Sequence, residues 1–203
     1  PIAIMLDTKG PEFRIKTFEN GKITLNDGDP FTFTTDDSVI GNQSRVAVNY
    51  AGLAKDLRKG DHVLVNNGLV IFEVESIEGS EIHCKTLVGG VLSDRKSMSF
   101  PNKVLNQVYL SEQDKDDLLF GIQNHVDFVA ASFVSRKQDL ADMRAFLEEN
   151  GGGNISIIAK IENRSGVDNI EEICDLCDGI MVARGDLGVE VPFTELPAIQ
   201  KHI

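Results

Sequence analysis

Lys160 and Glu162 stand two positions apart at the end of an apolar run, in the stretch SIIAKIENRS at 156–165. On a strand, side chains at i and i+2 share a face, about 6.5–7 Å apart. An unpaired charge inside a core costs several kcal/mol. Two charges on one face of an otherwise apolar strand therefore mark where it leaves the core. About twenty residues on, MVARGDLG (181–188) ends alike, with Arg184 and Asp186 in the same i, i+2 relation. An earlier strand ends in AASF (130–133), and the first ends in LDTKGPEFR (6–14). A single charged strand end reads equally well as an ion pair at a rim. Its recurrence points instead to the carboxyl ends of parallel strands, where barrels and doubly wound sheets keep their sites.

The residue types narrow the chemistry. Glu162 and Asp186, expected on adjacent strands, are hard carboxylates that suit Mg²⁺ or Mn²⁺, ions that fill their remaining positions with water and substrate oxygens. Lys160 beside them is a point charge for a developing anion, either a phosphoryl group or an enolate oxygen. The glycines of RGDLG let backbone N–H groups approach an anion at a helix start. A zinc site lacks ligands: Cys174 and Cys177 form one CxxC, and Cys84 supplies no second pair. The CxxC pair reads as ordinary positions in the body and end of a helix. No phosphate-binding GxxxxGKS or GxxxxGKT occurs. NGGGN (150–154) falls between a helix and a strand, where it caps and links.

These residues must be positioned by strand–helix repeats. SEQDKDDLLFGIQNH (111–125) predicts a helix capped by Ser111, and VDFVAASFV (126–134) a strand buried on both faces. SRKQDLADMRAFLEEN (135–150) has helical spacing of Leu140, Met143, Phe146 and Leu147, ended by glycines. NISIIAKIE (154–162) predicts a strand, GVDNIEEICDLC (166–177) a helix, and GIMVARGD (179–186) a further strand. Repeated βα units with short loops mean a parallel sheet. Residues 15–98 differ: apolar and polar residues alternate, broken by DG, NNG and EGS turns, as in antiparallel strands. The chain is thus an α/β protein. Residues 1–14 and 99–203 are expected to form part of a (β/α)8 TIM-type barrel, and 15–98 an inserted small all-β barrel. An insert leaving the carboxyl end of a βα unit is placed to act as a lid.

Composition sets bounds. The net charge of −12 argues against nucleic acid or an anionic membrane as the main partner. No apolar run reaches the roughly 18–20 residues that span a bilayer. Three cysteines imply no disulfide framework and fit a reducing cytoplasm. The sequence starts inside a strand and stops inside a helix, so it is expected to be a piece of a longer polypeptide.

The motifs MLDTKGPEFR (5–14), IIAKIENRSGV (157–167) and IMVARGDLGVEVP (180–192) resemble pyruvate kinase, as do the place of the insert and the return KSMSFP (96–101). The resemblance implies phosphoryl transfer between phosphoenolpyruvate and ADP, giving pyruvate and ATP, in a cytoplasmic homotetramer that uses Mg²⁺ or Mn²⁺ and K⁺. By it, Lys160 is the catalytic and substrate-binding lysine, and Glu162 and Asp186 are the divalent-metal ligands. Gly185 and Asp186 hold the substrate carboxylate, and Asp7 and Thr8 are K⁺ ligands. Glu12 is the glutamate of K⁺-dependent members, and Arg14 and Lys96, at the hinges of the insert, contact nucleotide phosphates. About four of the family's eight βα units are represented. The sequence departs from the family pattern at FPN (100–102), QVYLSEQD (107–114) and NNG (66–68), all in loops or the insert. Two other readings stand beside this one. A metal-dependent lyase or aldolase holding a pyruvate enolate would need neither the β insert nor DTKGPE, and a non-catalytic barrel fragment would not need its charged strand ends.

Overall fold

The computed structural model describes residues 2–101, 103 and 105–203. Asn102, in the FPN return, lies outside them. The chain divides into two compact units, Pro1–Pro11 with Val108–Ile203, and Glu12–Gln107. In chain order, β1 (Met5–Asp7) precedes the β unit. That unit comprises β2 (Phe13–Arg14), β3 (Lys22–Leu25), β4 (Pro30–Thr34), β5 (Arg45–Ala47), α1 (Leu53–Asp56), β6 (His62–Val65), β7 (Val70–Glu78), β8 (Glu81–Val88), β9 (Gly90–Ser93) and β10 (Ser97–Ser99). The chain continues as α2 (Glu112–Gln123), β11 (Phe128–Ala131), α3 (Lys137–Glu149), β12 (Ser156–Ile161), α4 (Arg164–Asp168) and α5 (Ile170–Cys174). It ends as β13 (Gly179–Val182), α6 (Arg184–Glu190) and α7 (Leu196–His202).

In the α/β unit, β1, β11, β12 and β13 form one parallel sheet in sequence order. All four carboxyl ends therefore fall on one side. Ser111 caps α2 by accepting from the Asp114 amide, and the Asp114 carboxylate accepts from the Ser111 amide in return. This reciprocal pair satisfies two donors that a helix start leaves open. Leu140, Met143 and Leu147 of α3 are fully buried, while Phe146 is only half-buried. Gly151, at φ +83°, lets the chain leave α3 in the left-handed region where other residues strain. On β12, Ile157, Ala159 and Ile161 are buried and alternate with half-buried Ser156, Ile158 and Lys160. This is the two-residue period of a pleated strand.

Three expectations for this unit are corrected. The strand expected at 126–134 ends at Ala131, because Phe133 adopts φ +57° and turns the chain out of the sheet. The single helix expected at 166–177 is two short helices broken at Asn169, whose side chain donates to the Ser135 carbonyl. The strand expected to reach Asp186 stops at Val182. Arg184 and Asp186 lie in the first turn of α6, where residues two apart point away from each other.

In the β unit, seven strands run in the order β2-β10-β6-β7-β8-β4-β5. The two edges meet: Ile15 bridges Val48, Lys16 N donates to Ala47 O at 2.8 Å, and Asn49 N donates to Arg14 O at 3.0 Å. Joining β2 to β5 closes the sheet on itself and removes its free edges. Phe31, Phe33 and Phe72 fill the interior, with ring centroids 5.0–5.6 Å apart. Asn66 and Asn67, both at φ 56°, make the tight β6–β7 turn that NNG predicts. Two details of the antiparallel expectation fail. The β4–β5 pair is parallel, and the DG turn joins β3 and β4 without pairing them, since β3 pairs with β9 and β4 with β8.

Candidate active site

At the carboxyl end of the parallel sheet, β12 delivers Lys160 in its last turn of pleat and Glu162 just beyond. Lys160 Nζ donates to Asp7 Oδ1 at 3.0 Å and to Ser132 Oγ at 2.8 Å, and lies 3.3 Å from Glu162 Oε1. The Glu162 side chain is 1% exposed. Its other oxygen accepts from the Phe133 amide at 2.6 Å. Partial burial alone would lower the Lys160 pKa. The Asp7 hydrogen bond and the Glu162 charge outweigh it and hold the lysine above its usual value, so Lys160 is an ammonium at neutral pH. Burial pushes the Glu162 carboxyl up. The Phe133 amide and Lys160 oppose this, and the charge of Asp186 adds to it.

Asp7 ends β1, and its Oδ1 takes hydrogen bonds from both Lys160 and Ser132. Thr8 is buried; its hydroxyl donates to Ala130 O and accepts from Ser132 N. Gly10, at φ +67°, passes so close that a Cβ there would lie 2.7 Å from Ser132 O. Its amide donates to Asp114 Oδ1, so the cap of α2 also anchors this loop. Gly185, the second residue of α6, has open space where a side chain would stand, and Asp186 follows it.

The structure thus brings Asp7, Thr8, Lys160 and Glu162 together, with Asp186 near enough to act on Glu162. It adds two participants that sequence reading did not single out. Ser132 and Phe133 sit in AASF, and the only trace of their roles in the sequence is a serine where an apolar strand ends. Within the β unit, Arg14 and Lys96 are neighbours: Arg14 pairs with Ser97, and Ile15 N donates to Lys96 O at 3.0 Å. The Arg14 guanidinium makes a bidentate pair with Glu12, at 2.8 and 2.5 Å, and donates to Arg95 O.

The donor set at Glu162 fits a hard divalent cation. It is a buried carboxylate beside a second anion, with one ammonium as its counter-charge, and positive charge is what such a pair lacks. Among the described residues no group of three or more His, Cys, Asp or Glu is placed to hold a metal by itself. Substrate and water oxygens would therefore have to complete the shell. Cys174 is exposed at the end of α5, and Cys177 lies beyond it, packed on the core. No helix of the described residues is long and apolar enough to cross a membrane.

Comparison with known proteins gives one answer. The family model of the pyruvate kinase barrel domain matches residues 1–203. The chain is 43% identical over 201 residues to a pyruvate kinase of Clostridium perfringens, covering 99% of this chain and 42% of that one. It is 45% identical over 204 residues to a pyruvate kinase of Bacillus licheniformis, covering 100% of this chain and 35% of the relative. The crystal structure of a pyruvate kinase from Cryptosporidium parvum superposes with a TM-score of 0.93 at 38% identity, over 98% of this chain and 42% of that one. The chain therefore spans well under half the length of the relatives it matches.

Proposed function

The chain belongs to the pyruvate kinase family, and from that premise we propose that the protein carrying it moves a phosphoryl group between phosphoenolpyruvate and ADP, forming pyruvate and ATP. The observation that carries the reading is Lys160, held as an ammonium by Asp7, Ser132 and Glu162 at the end of β12. Phosphoryl transfer asks a protein for positioning and for neutralisation of charge, more than for covalent chemistry. A fixed ammonium at a strand end meets both needs. It faces the charge that builds on the transferring phosphoryl group and on the enolate oxygen of pyruvate.

Glu162 and Asp186 would hold Mg²⁺ or Mn²⁺, which when bound polarises phosphoryl and carboxylate oxygens. Asp7 and Thr8 would hold K⁺. Both hydrogen bonds of Asp7 fall on Oδ1, which leaves Oδ2 for the ion, and the Thr8 hydroxyl is already engaged, which leaves its carbonyl. The amides of Gly185 and Asp186, in the first turn of α6, suit a substrate carboxylate. Arg14 and Lys96 would meet nucleotide phosphates. Arg14 must then exchange Glu12 for phosphate oxygens, which its 40% exposure allows. The β unit would serve as the lid that excludes water from the reaction. A cytoplasmic homotetramer is the assembly and location we infer with this function.

The test is a coupled assay on the full-length protein. Pyruvate should form from phosphoenolpyruvate only when ADP is present, and faster with K⁺ than with Na⁺. Pyruvate release without ADP would favour a lyase-type reading instead.

A further inference from the structure

Every polar atom of Ser132 is spoken for. Its amide donates to Thr8 Oγ1 at 3.2 Å, and its carbonyl accepts from Tyr109 Oη at 2.9 Å. These two bonds fix the backbone, and close packing against Gly10 tightens it. The hydroxyl has one role left. It accepts from Lys160 Nζ at 2.8 Å, the shortest of the three contacts around that ammonium, and donates to Asp7 Oδ1 at 3.2 Å. Ser132 is 2% exposed, so water does not readily stand in for the hydroxyl. The next residue, Phe133, is held at φ +57°, a conformation uncommon for a bulky side chain. That turn aims its amide at Glu162 Oε2. One dipeptide thus touches both charged groups that β12 delivers.

We propose that Ser132 is a positioning residue for Lys160. Its hydroxyl links the ammonium to the Asp7 carboxylate and fixes where the positive charge sits. A lysine side chain has four rotatable bonds and gives little directional precision by itself. Two carboxylates alone would leave Nζ free to lean toward either one. The neutral hydroxyl supplies a third fixed point without adding charge. The proposal rests on the phosphoryl-transfer reading for its catalytic consequence, though not for the geometry.

Two variants and two readouts test it in the full-length protein. Ser132→Ala removes the hydroxyl, and Ser132→Cys keeps the volume but offers only a weak acceptor. Both should lower kcat by about 10–100-fold, the usual effect of losing a partner that orients a site group. KM for ADP should stay within about threefold, since the proposed nucleotide contacts are Arg14 and Lys96 and do not include Ser132. The second readout needs no activity. Acetic anhydride labelling of Lys160 in metal-free protein, measured by peptide mass spectrometry against exposed Lys9, should rise about fivefold in both variants, as for one lost hydrogen bond. A Ser132→Cys protein with wild-type kcat, or an unchanged labelling ratio in either variant, overturns the proposal. If the wild-type protein shows no ADP-dependent pyruvate formation, the reaction reading fails, and the labelling ratio alone decides the role of Ser132.

Discussion

Lys160 carries opposed influences, and their balance explains why a lysine can end a core strand. Burial favours the neutral amine, while Asp7 and Glu162 favour the ammonium and prevail. The same balance makes Glu162 dependent on its neighbours, because a carboxylate 1% exposed has few ways to be solvated. Replacing Lys160 by Met removes the counter-charge and leaves the carboxylate buried. Two outcomes are expected for Lys160→Met. Phosphoryl transfer should fall by at least about 10²–10³-fold, as when a group that stabilises transition-state charge is lost. The metal-free variant should also melt below wild type, and Mn²⁺ should raise its thermal midpoint by more than it raises that of wild type, because the ion replaces the missing charge. A coupled assay and paired melts with and without Mn²⁺ check both. Near-wild-type turnover would remove Lys160 from the mechanism.

At the scale of elements, the sheet and α3 are tied by one carboxylate. Asp178, just before β13, accepts from the Ile157 amide at 2.7 Å and from Arg144 of α3 at 2.8 Å. The Ile157 amide chiefly holds the carboxyl below its usual value; burial opposes it, and Arg144 adds to the lowering. A group whose pKa is lowered on folding adds stability above its unfolded pKa, and loses it as pH falls through the folded value. Wild type should therefore exceed Asp178→Asn by about 1 kcal/mol at pH 7, a figure kept small because the side chain is about half exposed. The difference should fade below about pH 4. Urea titrations of both proteins at pH 7 and pH 3.5 test this, and a gap that widened in acid would reverse the assigned sign.

Elements also show which signals the sequence carried. The βα rhythm, the Ser111 cap and the NNG turn were legible because each depends on neighbours in sequence. The charged strand ends were legible for the opposite reason: nothing local explains Lys160 and Glu162, so a site had to. What escaped needed distant contacts. The left-handed turn at Phe133 exists because its amide meets Glu162, 29 residues away. The placing of Arg184 and Asp186 on α6 could not be told from a longer strand, since the apolar run IMV continues without a break into Ala183. The parallel pairing of β4 with β5 follows from barrel closure, which no local pattern encodes.

At the scale of the molecule, the chain holds two separate cores. Leu140, Met143, Leu147, Ile157 and Ala159 belong to one, and Phe31, Phe33, Phe72 and Val63 to the other. The proposed ion sites draw on residues of the first alone, while Arg14 and Lys96 belong to the unit built on the second. A core defect in the β unit should therefore separate two properties that a single core would couple. Phe72 is fully buried between Phe31 and Phe33, and its loss should cost about 3–5 kcal/mol. In Phe72→Ala, hydrogen exchange should accelerate through residues 12–107 and stay near wild-type rates in β11, β12 and α3. Mn²⁺ affinity should hold while KM for ADP rises, because the proposed nucleotide contacts lie in the weakened unit and the proposed metal ligands do not. Exchange mass spectrometry on the full-length protein, with a Mn²⁺ titration of the same sample, decides the matter. Acceleration spread evenly over both units, or loss of Mn²⁺ binding, would mean that the two cores fold as one and that the division of labour proposed here is wrong.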